Sequence, residues 1–491
     1  MEVTPFARYL EPQTKVARLI LLHSLYNLYI GSKDHSAFEG FSEISKSDAD
    51  EKARQKRRQA KIERNRRKRK KKLANRLKAH GTKIKKKKSA RGGERKEERH
   101  GRSILNYYRD QVSPSIRLPT RLFTNSVSFP STFSFIEDPE KALQTIDRVI
   151  ETCFRRRGGE VILDQRQCEV IDYGAQSVIS VLIKSAAHAL RNHVTAHFPE
   201  DDLLKKTVFA TGLPREIGIP TPSDFVHLPL CHGRKGKEAG HKTTSRETAT
   251  RDFVAHIDKC LFCHGWKLTR DGKRYLGGLV TEVIGNAEDH SGRDDWWIGG
   301  YMYMPEGAER GACYFTVFNL GRPISESLSD LPQDSRLNQD IENLIQKHIS
   351  RFAPGRKQGR EQLHTLYALQ EGVTRFNRKP DMLETDRGQG TVDMITHFQH
   401  LGQTLKDGVE PKMCLVSGSS YILFDEKYKM QEEEKNGGKR RVIAFNSGNN
   451  LKDPPDHRNV KGLSRYFPGT LISGRFYLDP EHLDRENRDH E

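Results

Sequence analysis

The chain has no apolar run long enough to cross a bilayer. Its longest, residues 16–30, carries Arg18, His23, Ser24 and Asn27, whereas a spanning helix needs roughly 20 consecutive apolar residues. Apolar residues at 16, 19, 20, 22, 25, 26, 28 and 29 predict a helix packed on protein instead. A disulfide framework is also lacking. The seven cysteines are odd in number and scattered, and no secretory signal is read ahead of them. A cytoplasmic protein in a reducing compartment is expected.

Outside one segment the chain has little charge of either sign to spare. The net charge is +19, yet residues 51–102 alone hold 26 Lys and Arg against five Glu. A basic arm over 46–102 follows, not a basic surface. Its few apolar residues, among them Ile62, Leu73, Leu77 and Ile84, cannot bury a helix face, so the arm is expected to be partly helical or disordered. Its charge suits the phosphate backbone of nucleic acid; a solvated tail or an address signal is the plainer reading. Aromatic residues are absent between Phe41 and Tyr107, which argues against base stacking and sequence readout.

Charged residues make up 30% of the 491 and hydrophobic ones 35%, so part of the chain is not core, and two or three domains fit its length. Four zones are read: 1–45 with the apolar helix, 46–102, 116–235 and 248–480. A polar, glycine-rich stretch from Cys231 to Ser245 is read as the linker between the last two. The charged tail after Leu478 is expected to fray.

In the third zone, 123–135 reads as one or two strands, and 139–155 as a helix capped by Asp138 with Pro139 in its first turn. A strand at 161–164, a turn at Asp172, a helix at 176–188 and a strand at 208–212 follow. This order resembles the STAS domain of anti-sigma-factor antagonists. The resemblance implies an α/β fold and a docking role toward a protein partner. Where those antagonists carry a phosphorylatable Ser or Thr after the Asp, this chain has Tyr173, Gly174 and Ala175; Ser177 lies further along, inside the helix.

In the fourth zone, 276–290 reads as a helix with Glu282, Asn286, Asp289 and His290 on one face. A strand at 314–324 ends in a glycine turn at Asn319 to Arg322. Arg387, Gly388, Gly390 and Thr391 open a helix at 392–401. A hairpin is read at 413–418 and 421–424, a strand at 441–445, and a last strand after Pro468, Gly469 and Thr470. This order resembles the GHKL, or Bergerat, ATP-binding fold. The whole chain is then an α/β protein: a STAS-like domain followed by a GHKL α+β sandwich.

The GHKL resemblance implies ATP and Mg²⁺ as ligands. It gives Asn286 to the Mg²⁺ through its amide oxygen and Glu282 to the attacking water as base. Asp289 and His290 complete that box. Asn319 and Gly321 stand in the adenine box, where the family has Asp and a second glycine in place of Asn319 and Pro323. Gly388, Gly390 and Thr391 form the phosphate loop at a helix start, Arg387 stands beside it, and Thr470 belongs to the closing strand. Residues 325–387 would be the lid, with Arg356, Lys357, Arg360 and Arg375 as candidate phosphate contacts. Cys260, Cys263 and His264, with Cys231, His232 and His241, have zinc-like spacing, although a helix with buried thiols explains 252–266 better. Trp296 and Trp297 are expected to begin a core strand.

The reading that follows is a Mg²⁺-dependent ATPase that couples nucleotide state to a nucleic-acid or protein partner. A serine/threonine kinase of the anti-sigma-factor type is a second reading. A non-hydrolysing nucleotide-sensing adaptor, in a stress or anti-phage response, is a third. GHKL modules often work as dimers, which makes the 16–30 helix a candidate contact for a homodimer.

Overall fold

A computed structural model describes residues 89–112, 124–220, 228–236, 243–303, 311–328, 331, 336–349, 359–373, 390–402, 410–435 and 438–485. The 16–30 helix and the arm up to residue 88 lie outside them. Helix α1 (Ser89–Val112) opens the described part. It packs through Gly101, Ile104, Leu105 and Tyr108.

Three parallel strands come next: β1 (Ser126–Ser128), β2 (Glu160–Asp164) and β3 (His193–His197), in that order across the sheet. Parallel neighbours need crossovers, and two helices supply them. Helix α2 (Pro139–Arg155) is capped by Asp138, which accepts from Lys141 N. Helix α3 (Tyr173–Leu190) is capped by Asp172, which accepts from Ala175 N at 2.7 Å. The strand expected at 208–212 is instead the end of a helix, Asp202–Ala210. Val208 and Phe209 favour a strand in isolation. The Asp201 cap, accepting from Leu204 N at 2.8 Å, nucleates the helix upstream, and burial of Val208 against the core holds it.

The second layer is a five-stranded antiparallel sheet. Its members are β4 (Leu228–Arg234), β5 (Asp295–Tyr303), β6 (Ala312–Leu320), β7 (Lys412–Phe424) and β8 (Val460–Tyr477), in spatial order β7-β8-β6-β5-β4. Edge strand β4 takes in Cys231 to Arg234, the start of the stretch read as linker. Strand β7 is continuous where a hairpin was expected. Gly418 has φ +60, and the pairing slips on either side of it, so the glycine makes a bulge in one strand and not a turn between two. The tail after Leu478 does not fray at once: Leu483–Arg485 pairs with Trp266–Leu268.

Both faces of this sheet are covered, which explains its near-continuous apolar strands. Cys313, Phe315 and Val317 of β6, with Leu415 and Ile472, join the core beneath helices α4 (Ser245–Phe262), α5 (Arg270–His290) and, further along the chain, α6 (Gly390–Leu401). Phe318 and Leu320 point the other way, with Val416, Phe467 and Leu471, into the core of α2 and α3. The turn at the start of α3 is buried in that contact. Tyr173 is 1% exposed, and a Cβ on Gly174 would lie 2.5 Å from Ser473 Oγ. The 325–387 stretch builds a small core of its own from Leu328, Ile341, Ile345, Leu363 and Tyr367. Among the described residues no helix is long and apolar enough to cross a membrane, and none of the seven cysteines is in a disulfide.

Candidate functional site

A cavity of 470 Å³ lies between the sheet, α5 and the start of α6, within the usual range for small-molecule sites. Three features of the chain shape it. First, α5 is capped by Thr269 and runs to His290. Its apolar residues Leu279, Val280, Val283 and Ile284 are buried, which turns Glu282, Asn286 and Asp289 to the cavity wall. Second, the His397 ring fills the space over Gly278. That close approach lays α6 on α5 and brings Gly390 and Thr391 beside Glu282 and Asn286. Asn286 Nδ2 donates to Thr391 Oγ1 at 3.3 Å. Third, the antiparallel register sets Thr470 opposite both Asn319 and Ser417. The Ser417 and Thr470 hydroxyls are 2.8 Å apart, so three polar side chains form a row across the sheet.

Asn319 is 2% exposed, and its Nδ2 has no hydrogen-bond partner. A buried amide left unsatisfied costs about 1–3 kcal/mol, so a polar group in the cavity would relieve it. The row needs glycine at two places. Gly469, at φ +156, has no room for a Cβ against the Asn319 carbonyl. Gly321 has none against the Ser291 carbonyl, and so lets the loop after α5 close on the end of β6. The rest of the wall is largely apolar, including Val283, Ala287, Val317, Ile324, Leu369 and Ile472.

The Glu282 carboxylate lies against Gly390, where a Cβ would collide with its Oε2. Burial pushes its pKa up, the nearby Asp393 carboxylate adds to the rise, and Arg246 offsets part of it. A carboxylate shifted upward is a stronger base than an ordinary one. Asp289 is held by Lys235 Nζ at 2.6 Å, and Glu288 behind it by Trp296 Nε1 at 3.0 Å. Hydroxyl, amide and carboxylate oxygens therefore converge at the α5–α6 junction, a donor set of the kind Mg²⁺ prefers.

Glu282, Asn286, Asp289, Asn319, Gly390, Thr391 and Thr470 thus line a single cavity. Gly321 stands behind the wall. Arg387, Gly388 and the His290 side chain lie outside the described residues, as do Arg356, Lys357 and Arg375 of the expected lid. Arg360 pairs with Glu342 instead. Among the described residues the zinc-spaced cysteines form no metal-holding group, Cys260 being buried in α4 while Cys263 and Cys231 are exposed, and His241 lies outside those residues. Sequence reasoning missed Arg246 and gave no role to Ser291 and Arg322, which also line the cavity. Arg246 follows the Thr244 cap of α4, more than 30 positions ahead of the first recognised box. No family model, curated protein or solved structure matches this chain.

Proposed function

We propose that this chain binds ATP with Mg²⁺ in the 470 Å³ cavity and hydrolyses it, using the nucleotide to control a nucleic-acid or protein partner. One observation carries the reading. Four short motifs, spread from residue 282 to residue 470 and resembling the GHKL boxes in their order, converge on one concave wall.

The residues present fit the ligand. Asn319 and Thr470 at the sheet would meet the base. Asn319 offers the N–H that has no partner, together with an amide oxygen, which matches the mixed donor and acceptor edge of adenine. Gly390 and Thr391 at the α6 N-terminus would receive phosphate, where free N–H groups and the helix dipole favour negative charge. Asn286 would hold Mg²⁺, which when bound neutralises phosphate charge. Glu282 would take the proton of an attacking water, and Arg246 and Arg322 supply positive charge on the wall.

The kinase reading is weaker. The turn matching the antagonists' phosphorylation loop, Asp172 to Ala175, holds no Ser or Thr and is buried against β8, which speaks against phosphorylation of the chain by itself and leaves a partner protein as the acceptor. The adaptor reading differs only in turnover.

Calorimetric titration with ATP and Mg²⁺ tests the assignment. Asn319→Ala, which removes the base contact, is expected to weaken binding by about 1–3 kcal/mol, or roughly 5- to 150-fold. Unchanged affinity in Asn319→Ala, or no ATP binding by the parent chain, overturns it.

A further inference from the structure

A second cavity, of 600 Å³, opens between α1, α3 and the edge of the antiparallel sheet. Its wall includes His100 of α1, His232 of β4 and Trp297 of β5. At its rim, His100, His232 and Asp295 each present a ligand atom, and these atoms lie within 4.8 Å of one another. The fold places them. The β4–β5 register pairs His232 with Trp297 and Arg234 with Asp295, and α1 lays His100 over the same edge. The His232 ring stacks on Trp297 with centroids 5.2 Å apart, and the two imidazoles are 5.0 Å apart. His232 Nε2 is 2.8 Å from Asp295 Oδ1.

A cation already occupies this junction. Arg234 Nε donates to Asp295 Oδ1 at 2.7 Å, and Arg234 Nη2 sits 3.3 Å from His100 Nδ1. Its side chain is about half exposed, at 51%, so it can swing into water. Two imidazoles and one carboxylate are the donor set of Zn²⁺-class ions, while Mg²⁺ and Ca²⁺ take oxygen.

We propose that His100, His232 and Asp295 form a binding site for a Zn²⁺-class divalent cation, with Arg234 as its displaceable internal competitor. Ligands on one tetrahedral Zn²⁺ sit about 3.3 Å apart, so the three groups need to close by at most roughly 1.5 Å. Three protein ligands leave one position of a tetrahedral site open. Occupancy would tie α1, the helix that follows the basic arm in sequence, to the sheet edge. The site is separate from the nucleotide cavity and does not depend on that assignment.

The test is equilibrium dialysis of the tag-free full chain against Co²⁺, read by metal content and d–d absorption. One Co²⁺ per chain is expected. His232→Ala and His100→Ala are expected to weaken binding by at least about tenfold, with circular dichroism confirming that the variants fold. Arg234→Ala is expected to tighten binding by up to about fivefold, the worth of an exposed ion pair. Absence of stoichiometric binding, equal binding by His232→Ala, or weaker binding by Arg234→Ala would overturn the proposal.

Discussion

Glu282→Gln keeps the size and burial of the side chain and removes its ability to accept a proton. Because the carboxylate lies against Gly390 at the start of α6, the change falls where phosphate would sit and away from Asn319 and Thr470. Base catalysis of this kind is worth about 10²- to 10⁴-fold, or roughly 3–5 kcal/mol. Nucleotide affinity is expected to stay close to that of the parent. The pH dependence carries a second, signed consequence. Burial first, then Asp393, raises the Glu282 pKa. The base is protonated below that raised value, so hydrolysis falls as pH drops through it. Asp393→Asn removes a neighbouring negative charge and moves this acid limb down. Arg246→Gln removes the offsetting positive charge and moves it up. Single-turnover release of γ-phosphate, followed across pH for the parent and the three variants, reads all of this. If Glu282→Gln binds ATP normally and keeps more than about a tenth of the rate, Glu282 is not the base.

Three further outcomes are expected. Gly174→Val places side-chain atoms inside contact distance of Ser473 and should destabilise the fold by about 1–3 kcal/mol; an unchanged melting temperature would refute the packing of α3 on β8. Asp147 is buried beside Tyr108 and Arg465, and burial raises its pKa from 3.8 to about 6. The folded state then holds a proton the unfolded state has lost, so stability falls by up to about 3 kcal/mol as pH rises between those values and levels off above them. Asp147→Asn should flatten that slope in denaturant titrations. Deleting 46–88, which spares α1, should weaken nucleic-acid binding and reduce its salt dependence; anisotropy at two salt concentrations checks both, and equal slopes would sink the arm reading.

Much of the candidate site was legible because its signals are local. Glu282, Asn286 and Asp289 share one helix face by their spacing, and Gly390 with Thr391 marks a helix start. The α2 cap at Asp138 was equally readable, since a cap is decided by a few neighbouring residues, whereas the helix read from 176 begins at Tyr173, with Asp172 as its cap. What sequence spacing does not encode is which distant segments meet. Arg246 reaches the cavity because α4 lies beside α5, and Ser417 supports Thr470 because β7 pairs with β8. His100, His232 and Asp295 come from three elements, so no spacing pattern joins them. The misread segments failed for physical reasons too. At 208–212 a cap upstream outweighed β-branched propensity, and at Gly418 a positive φ served a bulge, a choice a lone glycine does not announce.

The burial of Tyr173 and Gly174 changes how the layer of α2 and α3 should be understood. A docking module would keep that turn accessible to a separate partner. Here the turn is spent inside the chain, on the face of β6 and β8 opposite the cavity. Phe318 and Leu471 sit in the core with α3, while their neighbours Asn319 and Thr470 line the cavity. Side chains alternate across a strand, so a shift of either strand moves both sets together. The layer therefore supports the wall of the first cavity, holding the polar row of Asn319, Thr470 and Ser417 in register.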